Sequence, residues 1–408
     1  MPEPEYRQEG EDHIFHWHQL ALTVTVSNVR MTGLGPKGEV DIWTETMGHL
    51  HEAGLLLTST SGKTGLAKAM ERRVNSIDWS DVVETIAWKS HAAFKEGEPL
   101  EVLLPERRPE SGRFAVHPLF PEGQPSLLFG DGKTGKSLLA LGCCLAMALG
   151  QPLAGMTTAA HRPAFLDWEW EKAEHADRLL RLGQGNGFDD CALTYRRCSA
   201  PLQSQAQSLK RKLDQAKIDY LVIDSLGLAC GGNPNEPDIA LAFFGAVRYL
   251  NRPCIIIHHV TKEPGAKKPF GSAYIRNSAR TGWRVSRGAE GEAGTLNLAL
   301  THEWTNTGQI EAAIGLRLTF DEVAYTTVIE RTEAKPVLRS AGEMNKKQQV
   351  LSVIEEHPGM EAWEIAAQLD DVKENIAQHL TQLKKQGRLH HDQETHKYYA
   401  RTNRAEGQ

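Results

Sequence analysis

Between Leu127 and Val260 short runs of apolar residues alternate with stretches in which apolar positions recur at helical spacing. The runs are Leu127 to Phe129, Ala164 to Asp167, Leu193 to Tyr195, Tyr220 to Ile223 and Cys254 to Ile257. The spacing between them predicts helices over 137–149, 171–182, 203–216 and 238–250. A strand that is apolar at nearly every position is covered on both faces, and strands that alternate with helices form a parallel sheet. Such sheets bind ligands at the carboxyl ends of their strands.

The pattern changes on either side. Leu20, Leu22, Val24 and Val26 alternate with polar or small residues, and Val40 and Ile42 repeat the alternation after a turn over Gly33 to Gly38. This predicts a hairpin within Phe15 to Ile42. A strand over Leu55 to Ser61, a helical segment from Gly65 to Arg73 and a helix from Trp79 to Phe94 complete a small α+β module over 1–95. Residues 96–125 are rich in Pro, Glu and Arg and read as a linker or a belt over the next domain. After the alternating region, Leu296 to Leu300, Leu316 to Phe320 and Tyr325 to Ile329 add strands to the sheet, giving a core over 126–335. A break at Arg331 to Asn345 follows. Helices over Lys346 to Glu356, Ala362 to Leu369 and Val372 to Gln386, with a hairpin-like wing from Leu389 to Tyr399, fit a winged helix-turn-helix over 345–402.

A length of 408 residues suits two or three domains. The net charge of −6 provides no overall basic field, so any contact with nucleic acid must be local. The six cysteines include no C-x-x-C pair and lie mostly in apolar segments, as reduced core residues do. Met1 to Asp12 is polar and acidic, and no apolar run reaches the length of a membrane span, so the expected location is cytoplasmic, without membrane association.

The chemistry concentrates at strand ends. Gly130-Asp131-Gly132-Lys133-Thr134-Gly135-Lys136-Ser137 joins the first core strand to its helix, which begins near Leu138. This is the order of a Walker A phosphate loop, in which backbone N–H groups cradle phosphates, Lys136 adds a mobile charge and Ser137 offers a hydroxyl to Mg²⁺. Residues 130–138 are the candidate nucleotide-binding set. A decoy, Ser61-Gly62-Lys63-Thr64, has Leu57 where the upstream glycine belongs and reads as a helix start. The strand Tyr220 to Ile223 ends in Asp224, a Walker B carboxylate that pairs with Ser137 as the metal-binding set. Asp167, Glu169 and Glu171 alternate after the second core strand, and Glu169 is the candidate to activate water. Glu171 and Glu174 read as acids of a helix start. His258 and His259 end the last core strand, where adjacent side chains diverge. One of them, His259 in the candidate set, suits γ-phosphate sensing better than a shared metal. Lys262, Lys267 and Lys268 lie in a basic loop that is either a solvated connection or a contact to nucleic-acid phosphates. Arg276 and Arg280 stand four apart, as on one helix face.

These residues together resemble the RecA-like ATPases. The similarity is strongest to the branch of RepA-type hexameric plasmid helicases and related phage ATPases. It rests on the loop 130–137, Leu166-Asp167-Trp168-Glu169 with Arg178 nine residues beyond Glu169, the strand ending at Asp224, His258-His259 and the Gly271-Ser272 to Arg280 segment. The resemblance implies ATP bound between neighbouring subunits of a ring or filament, a hexamer being favoured. It further implies Glu169 as water activator and a basic residue reaching across the interface, for which Lys262, Arg276 and Arg280 are candidates. Lys133 stands where this branch has glycine, and Trp304 where such ATPases often place lysine. Two functions follow as expectations: an oligomeric motor on single-stranded DNA, contacting it through 231–238 and 262–270, or an ATP-switched DNA-binding or assembly factor that does not unwind. A metabolic P-loop enzyme is disfavoured because no second-substrate site is legible. The acidic start of the third C-terminal helix (Asp370, Asp371, Glu374), against Lys384, Lys385 and Arg388 at its end, argues for backbone contacts or a protein partner there.

Overall fold

The computed structural model describes residues 2–9, 12–97, 100, 102–105, 113–188, 191–261, 268–288, 292–306, 308–342, 344 and 346–401. The chain divides into two compact units, Met1–Glu106 and Arg107–Gln408. In the first, five antiparallel strands follow one another in sequence order: β1 (Glu5–Glu9), β2 (Asp12–Trp17), β3 (Leu22–Thr32), β4 (Gly35–Thr44) and β5 (Gly48–Leu56). Helices α1 (Thr60–Glu71) and α2 (Trp79–Glu96) complete it. Alternate residues Phe15, Trp17, Leu22, Val24, Val26, Val40 and Ile42 face one core with Met70, Trp79, Val82 and Ile86 of the helices. The expected turn is tighter than its glycines suggested. β4 already begins at Gly35, because Pro36 and Gly38 pair with Met31 and Leu55 in the ladders. The strand expected over 55–61 ends at Leu56. Ser59 caps α1 by accepting from the Gly62 N–H at 3.1 Å, so Gly62-Lys63-Thr64 lies within the first turns of a helix.

In the second unit a nine-stranded sheet has the order β10-β9-β11-β12-β8-β13-β14-β15-β16. The strands are β8 (Pro125–Gly130), β9 (Pro163–Asp167), β10 (Thr194–Arg197), β11 (Tyr220–Asp224), β12 (Cys254–His259), β13 (Thr281–Arg287), β14 (Thr295–Thr305), β15 (Ile314–Asp321) and β16 (Thr326–Thr332). The first six in spatial order are parallel and the last three antiparallel. Alternation within the parallel strands divides two cores. Leu128, Phe165, Val222, Ile255 and Ile257 face helices α3 (Lys136–Leu149) and α4 (Lys172–Asn186). Leu127, Phe129, Leu166, Leu221, Ile223 and Ile256 face α5 (Leu202–Gln215), α6 (Leu226–Ala229) and α7 (Pro237–Leu250). All five carboxyl ends of β8, β9, β10, β11 and β12 point the same way, which gathers the motif residues at one edge.

Two expectations need correction, and one open alternative is decided. Sheet extension begins at Thr281, before the β-rich pattern at Gly294, because β13 is a parallel partner of β8 and is buried from Thr281 to Ser286 without alternation. The break at 331–345 contains α9 (Ala334–Ser340), anchored by buried Val337 against the glycine at 288. In the 96–125 stretch, β6 (Phe114–Val116) and β7 (Phe120–Pro121) bury Ala115, Val116, Leu119 and Phe120 completely against α3, so this part is a belt. Beyond α9, helices α10 (Lys346–Glu356), α11 (Ala362–Gln368) and α12 (Lys373–Lys385) and the ribbon of β17 (Leu389–His391) and β18 (Tyr398–Ala400) surround their own core of Val350, Ile354, Ile365, Ile376, Leu380 and Leu383. No helix among the described residues is long and apolar enough to cross a membrane.

Candidate nucleotide-binding site

Three loop positions, 130, 133 and 135, have backbone requirements that favour glycine. A Cβ on Gly130 would stand 2.3 Å from the Val285 carbonyl oxygen, so only glycine lets β8 lie against β13 there. Gly135 has φ +73° and precedes α3 with no side-chain cap, leaving the first N–H groups of the helix available to an anion. Leu138 packs its side chain on the core, which leaves its backbone as its contribution to the turn. Lys133 also sits in the left-handed region at φ +61°, which explains why glycine is the expected residue; its side chain is exposed. Lys136 turns inward, only 5% exposed. Its Nζ donates to the Gly130 carbonyl and Thr134 hydroxyl at 3.1 Å and to the Asp131 carbonyl. Burial pulls its pKa down to about 8, against the opposing pull of Asp224, Glu169 and Asp131.

Asp224, at the end of β11, is 1% exposed beside the Ser137 hydroxyl. Desolvation pushes its pKa up to about 6, Ser137 draws it down, and the negative charges of Glu169 and Asp167 add to the rise. Neither carboxylate oxygen has a partner of good hydrogen-bond geometry among the described residues. A buried carboxylate without donors, facing a hydroxyl, suits a hydrated cation that also rests on phosphate oxygens. No group of three His, Cys, Asp or Glu side chains among the described residues could hold a metal without a nucleotide.

The three alternating carboxylates separate into different jobs. Asp167 is wholly buried and accepts from the Glu169 N–H (2.9 Å), the Trp170 N–H (3.1 Å), His175 Nε2 (3.1 Å) and the Tyr195 hydroxyl (2.9 Å). Burial raises its pKa, but these donors outweigh it and hold the group below the usual range. It fixes the turn that carries Glu169. Glu169 accepts from the Ser225 hydroxyl at 2.5 Å and lies 3.8 Å from His259 Nε2. His259 first, and Ser225 after it, hold its pKa down against desolvation, so it is ionised at neutral pH. Glu171 is the N-cap residue of α4, and Glu174 pairs with Arg178 at 3.0 Å, as helix-start acids. Ser225, His175 and Tyr195 were not singled out in the sequence. Ser225 had a signal, its place directly after Asp224; His175 and Tyr195, on separate elements, had none.

The other candidates do not converge on this point. His258 is buried, bonded through Nε2 to the Phe270 carbonyl at 2.6 Å, and burial lowers its pKa to about 4; His259 faces the site. The diverging directions expected of adjacent strand residues hold. Arg276 and Arg280 do not share a helix face, because α8 (Ala273–Ser278) stops before Ala279, which is extended. Arg276 stacks on Trp304, 5.1 Å from the ring centroid. The Arg280 N–H donates to the Pro125 carbonyl at 3.0 Å, at the opposite end of β8, which places it about 17 Å from its own phosphate loop. Trp304 is a packing residue: its indole lies on Gly282 and Phe129 and donates to the Ala279 carbonyl at 3.0 Å. Lys262 and Lys267 lie outside the described residues, and Lys268 is exposed.

Residues 96–265 match the family model described as AAA domain. No curated protein matches the chain. Among solved structures, a KaiC-like protein from the hyperthermophilic archaeon Pyrococcus horikoshii OT3 aligns over 56% of this chain and 100% of its own, at 15% identity and a TM-score of 0.39. That likeness is too loose to carry an argument. The family match, together with the phosphate loop at the carboxyl edge of a parallel sheet, supports a P-loop ATPase core.

Proposed function

We propose that this chain hydrolyses ATP as a subunit of an oligomeric, DNA-dependent motor of the RepA-type helicase kind. The observation that carries the hydrolytic reading is the meeting of Lys136, Ser137, Asp224 and Glu169 at one sheet edge, with Glu169 held ionised by His259 and Ser225. Loop N–H groups of 130–138 and Lys136 bind the β- and γ-phosphates. Mg²⁺, held by Ser137 and through water by Asp224, would neutralise charge between those phosphates. Glu169 orients the attacking water and takes its proton, and His259 senses the γ-phosphate through its contact with Glu169. The charge that develops on the γ-phosphoryl group is met from a neighbouring copy. Arg280 suits that role because it is exposed and lies about a strand length from its own loop. Arg276 is partly engaged by Trp304, and Lys262 is the third candidate. The test is steady-state ATPase rate with and without single-stranded DNA, on protein whose mass is read in the same buffer. Strong stimulation of a hexamer-sized species is expected; a DNA-indifferent monomer overturns the motor.

A second reading, an ATP-switched DNA-binding or assembly factor, is favoured by Trp304, whose packed indole leaves no cation at a position where such motors often carry one. Forked-substrate unwinding that depends on Glu169 separates the two.

A further inference from the structure

We propose that the C-terminal unit grips the phosphate backbone of duplex DNA with its ribbon and the end of α12, not with the first turns of α12. The inference rests on the reading above only in taking a nucleic acid as partner. Residues 384–401 contain five cations, Lys384, Lys385, Arg388, Lys397 and Arg401, and two acids, in a chain whose net charge is −6. All five cations are exposed, and none is in an ion pair among the described residues. One acid, Asp392, is turned onto the ribbon's own loop, accepting from the Glu394 N–H (2.9 Å) and the Thr395 hydroxyl (2.6 Å).

Strand pairing assembles the face. Leu389 is buried beneath, which directs its neighbours outward, and the Arg401 N–H donates to the Arg388 carbonyl at 2.9 Å, so both arginines end the same ribbon. His390 pairs with Tyr399 across the strands, with ring centroids 6.5 Å apart and both side chains exposed. An open depression of about 510 Å³ beside them is lined by Lys384, His390, His391, Asp392, Gln393 and Arg401. Cations around a shallow, hydrogen-bonding floor suit a phosphodiester backbone, and the exposed aromatic pair suits the sugar edge between phosphates.

The start of α12 is built against such a partner. Asp371 is tied to Lys346 (2.8 Å) and Asn375 (3.1 Å), and Asp370 and Glu374 stay exposed beside it. Glu361 and Glu364 close a capping box on the neighbouring α11. A helix that read base edges with its first turns would bring these carboxylates to the phosphates, at a repulsive cost.

The experiment is anisotropy of a short fluorescein-labelled DNA duplex with the full-length protein across a salt series, beside the same measurement on a single strand. The variant Lys384→Glu/Arg388→Glu/Arg401→Glu is expected to bind duplex at least about tenfold more weakly, with a slope of log affinity on log salt reduced by about three. Asp370→Asn/Glu374→Gln is expected to bind as well as or better than the wild type. Wild-type affinity and slope in the triple variant overturn the proposal, as does a loss confined to Asp370→Asn/Glu374→Gln. Circular dichroism melting shows that the surface variants remain folded. ATP turnover in the same samples keeps the outcomes apart. Duplex binding without hydrolysis sinks the motor and leaves this surface standing, whereas hydrolysis without duplex binding does the reverse.

Discussion

Gly-Lys-Thr at 62–64 and Gly-Lys-Ser at 135–137 each lead into a helix, and the two lysines, Lys63 and Lys136, live in unlike surroundings. Lys63 lies on an amphipathic helix and pairs with Glu84 at 2.6 Å. Lys136 turns into a loop formed by glycines, faces carbonyl oxygens and the carboxylates of two other strands, and loses part of its basicity to burial. The difference comes from upstream of both lysines. Gly130 allows β8 to pass against the Val285 carbonyl and turn, whereas Leu57 belongs to the core of its module. A helix N-terminus with a lysine is common; one that opens at the carboxyl edge of a parallel sheet, beside an orphaned carboxylate, is a chemical site.

That contrast is broken most severely by exchanging the lysines' fates. Lys136→Ala is expected to reduce ATP turnover by at least about a hundredfold, since one charged contact to the reacting phosphate is worth roughly 3 kcal/mol. Lys63→Ala is expected to leave turnover unchanged and to cost less than about 1 kcal/mol in a denaturant melt. Glu169→Gln separates binding from chemistry. Equilibrium titration with a fluorescent nucleotide should give wild-type affinity, while the single-turnover rate falls about 10²- to 10⁴-fold.

Asp224 sharpens the contrast through stability. Its folded-state pKa, about 6, lies above the ordinary 3.8, so the folded chain binds the extra proton between those values. Stability from this group is therefore full below pH 3.8 and lost as pH rises to 6. At neutral pH Asp224→Asn is expected to raise the unfolding free energy of the nucleotide-free protein by on the order of 2 kcal/mol while abolishing turnover. A urea melt at pH 7 that shows destabilisation would contradict this. The smallest effect is expected of Lys133→Gly. Relief of a positive φ is offset by greater freedom of the unfolded chain, so the unfolding free energy from a denaturant melt should move by no more than about 1 kcal/mol and turnover should not fall.

Asp167 and Glu169 show how legible the site was. Both follow an apolar strand, and both are carboxylates two residues apart, yet one is a scaffold held by four donors and the other an exposed-edge base held by Ser225 and His259. Alternation along a strand places them; it does not say which meets His175 from α4 or Tyr195 from β10. Arg276 and Arg280 show the converse. Their spacing suggested a helical pair, but the helix yields to β13 because Thr281 must hydrogen-bond in the sheet, and Arg280 is carried to the far end of β8.

The alternation of strands and helices from β8 to β12, the phosphate loop and the carboxylate at the end of β11 were determined by the sequence alone, because periodicity and glycine placement are local properties of a backbone. The tertiary structure alone decided what each charged group became. β9, β10, β11 and β12 bring residues from distant parts of the chain to one edge, and burial there sets the protonation of Lys136 and Asp224. Neither the partners nor the dielectric of a side chain is contained in its own stretch of sequence; both arise only when separate elements exclude water from the same place.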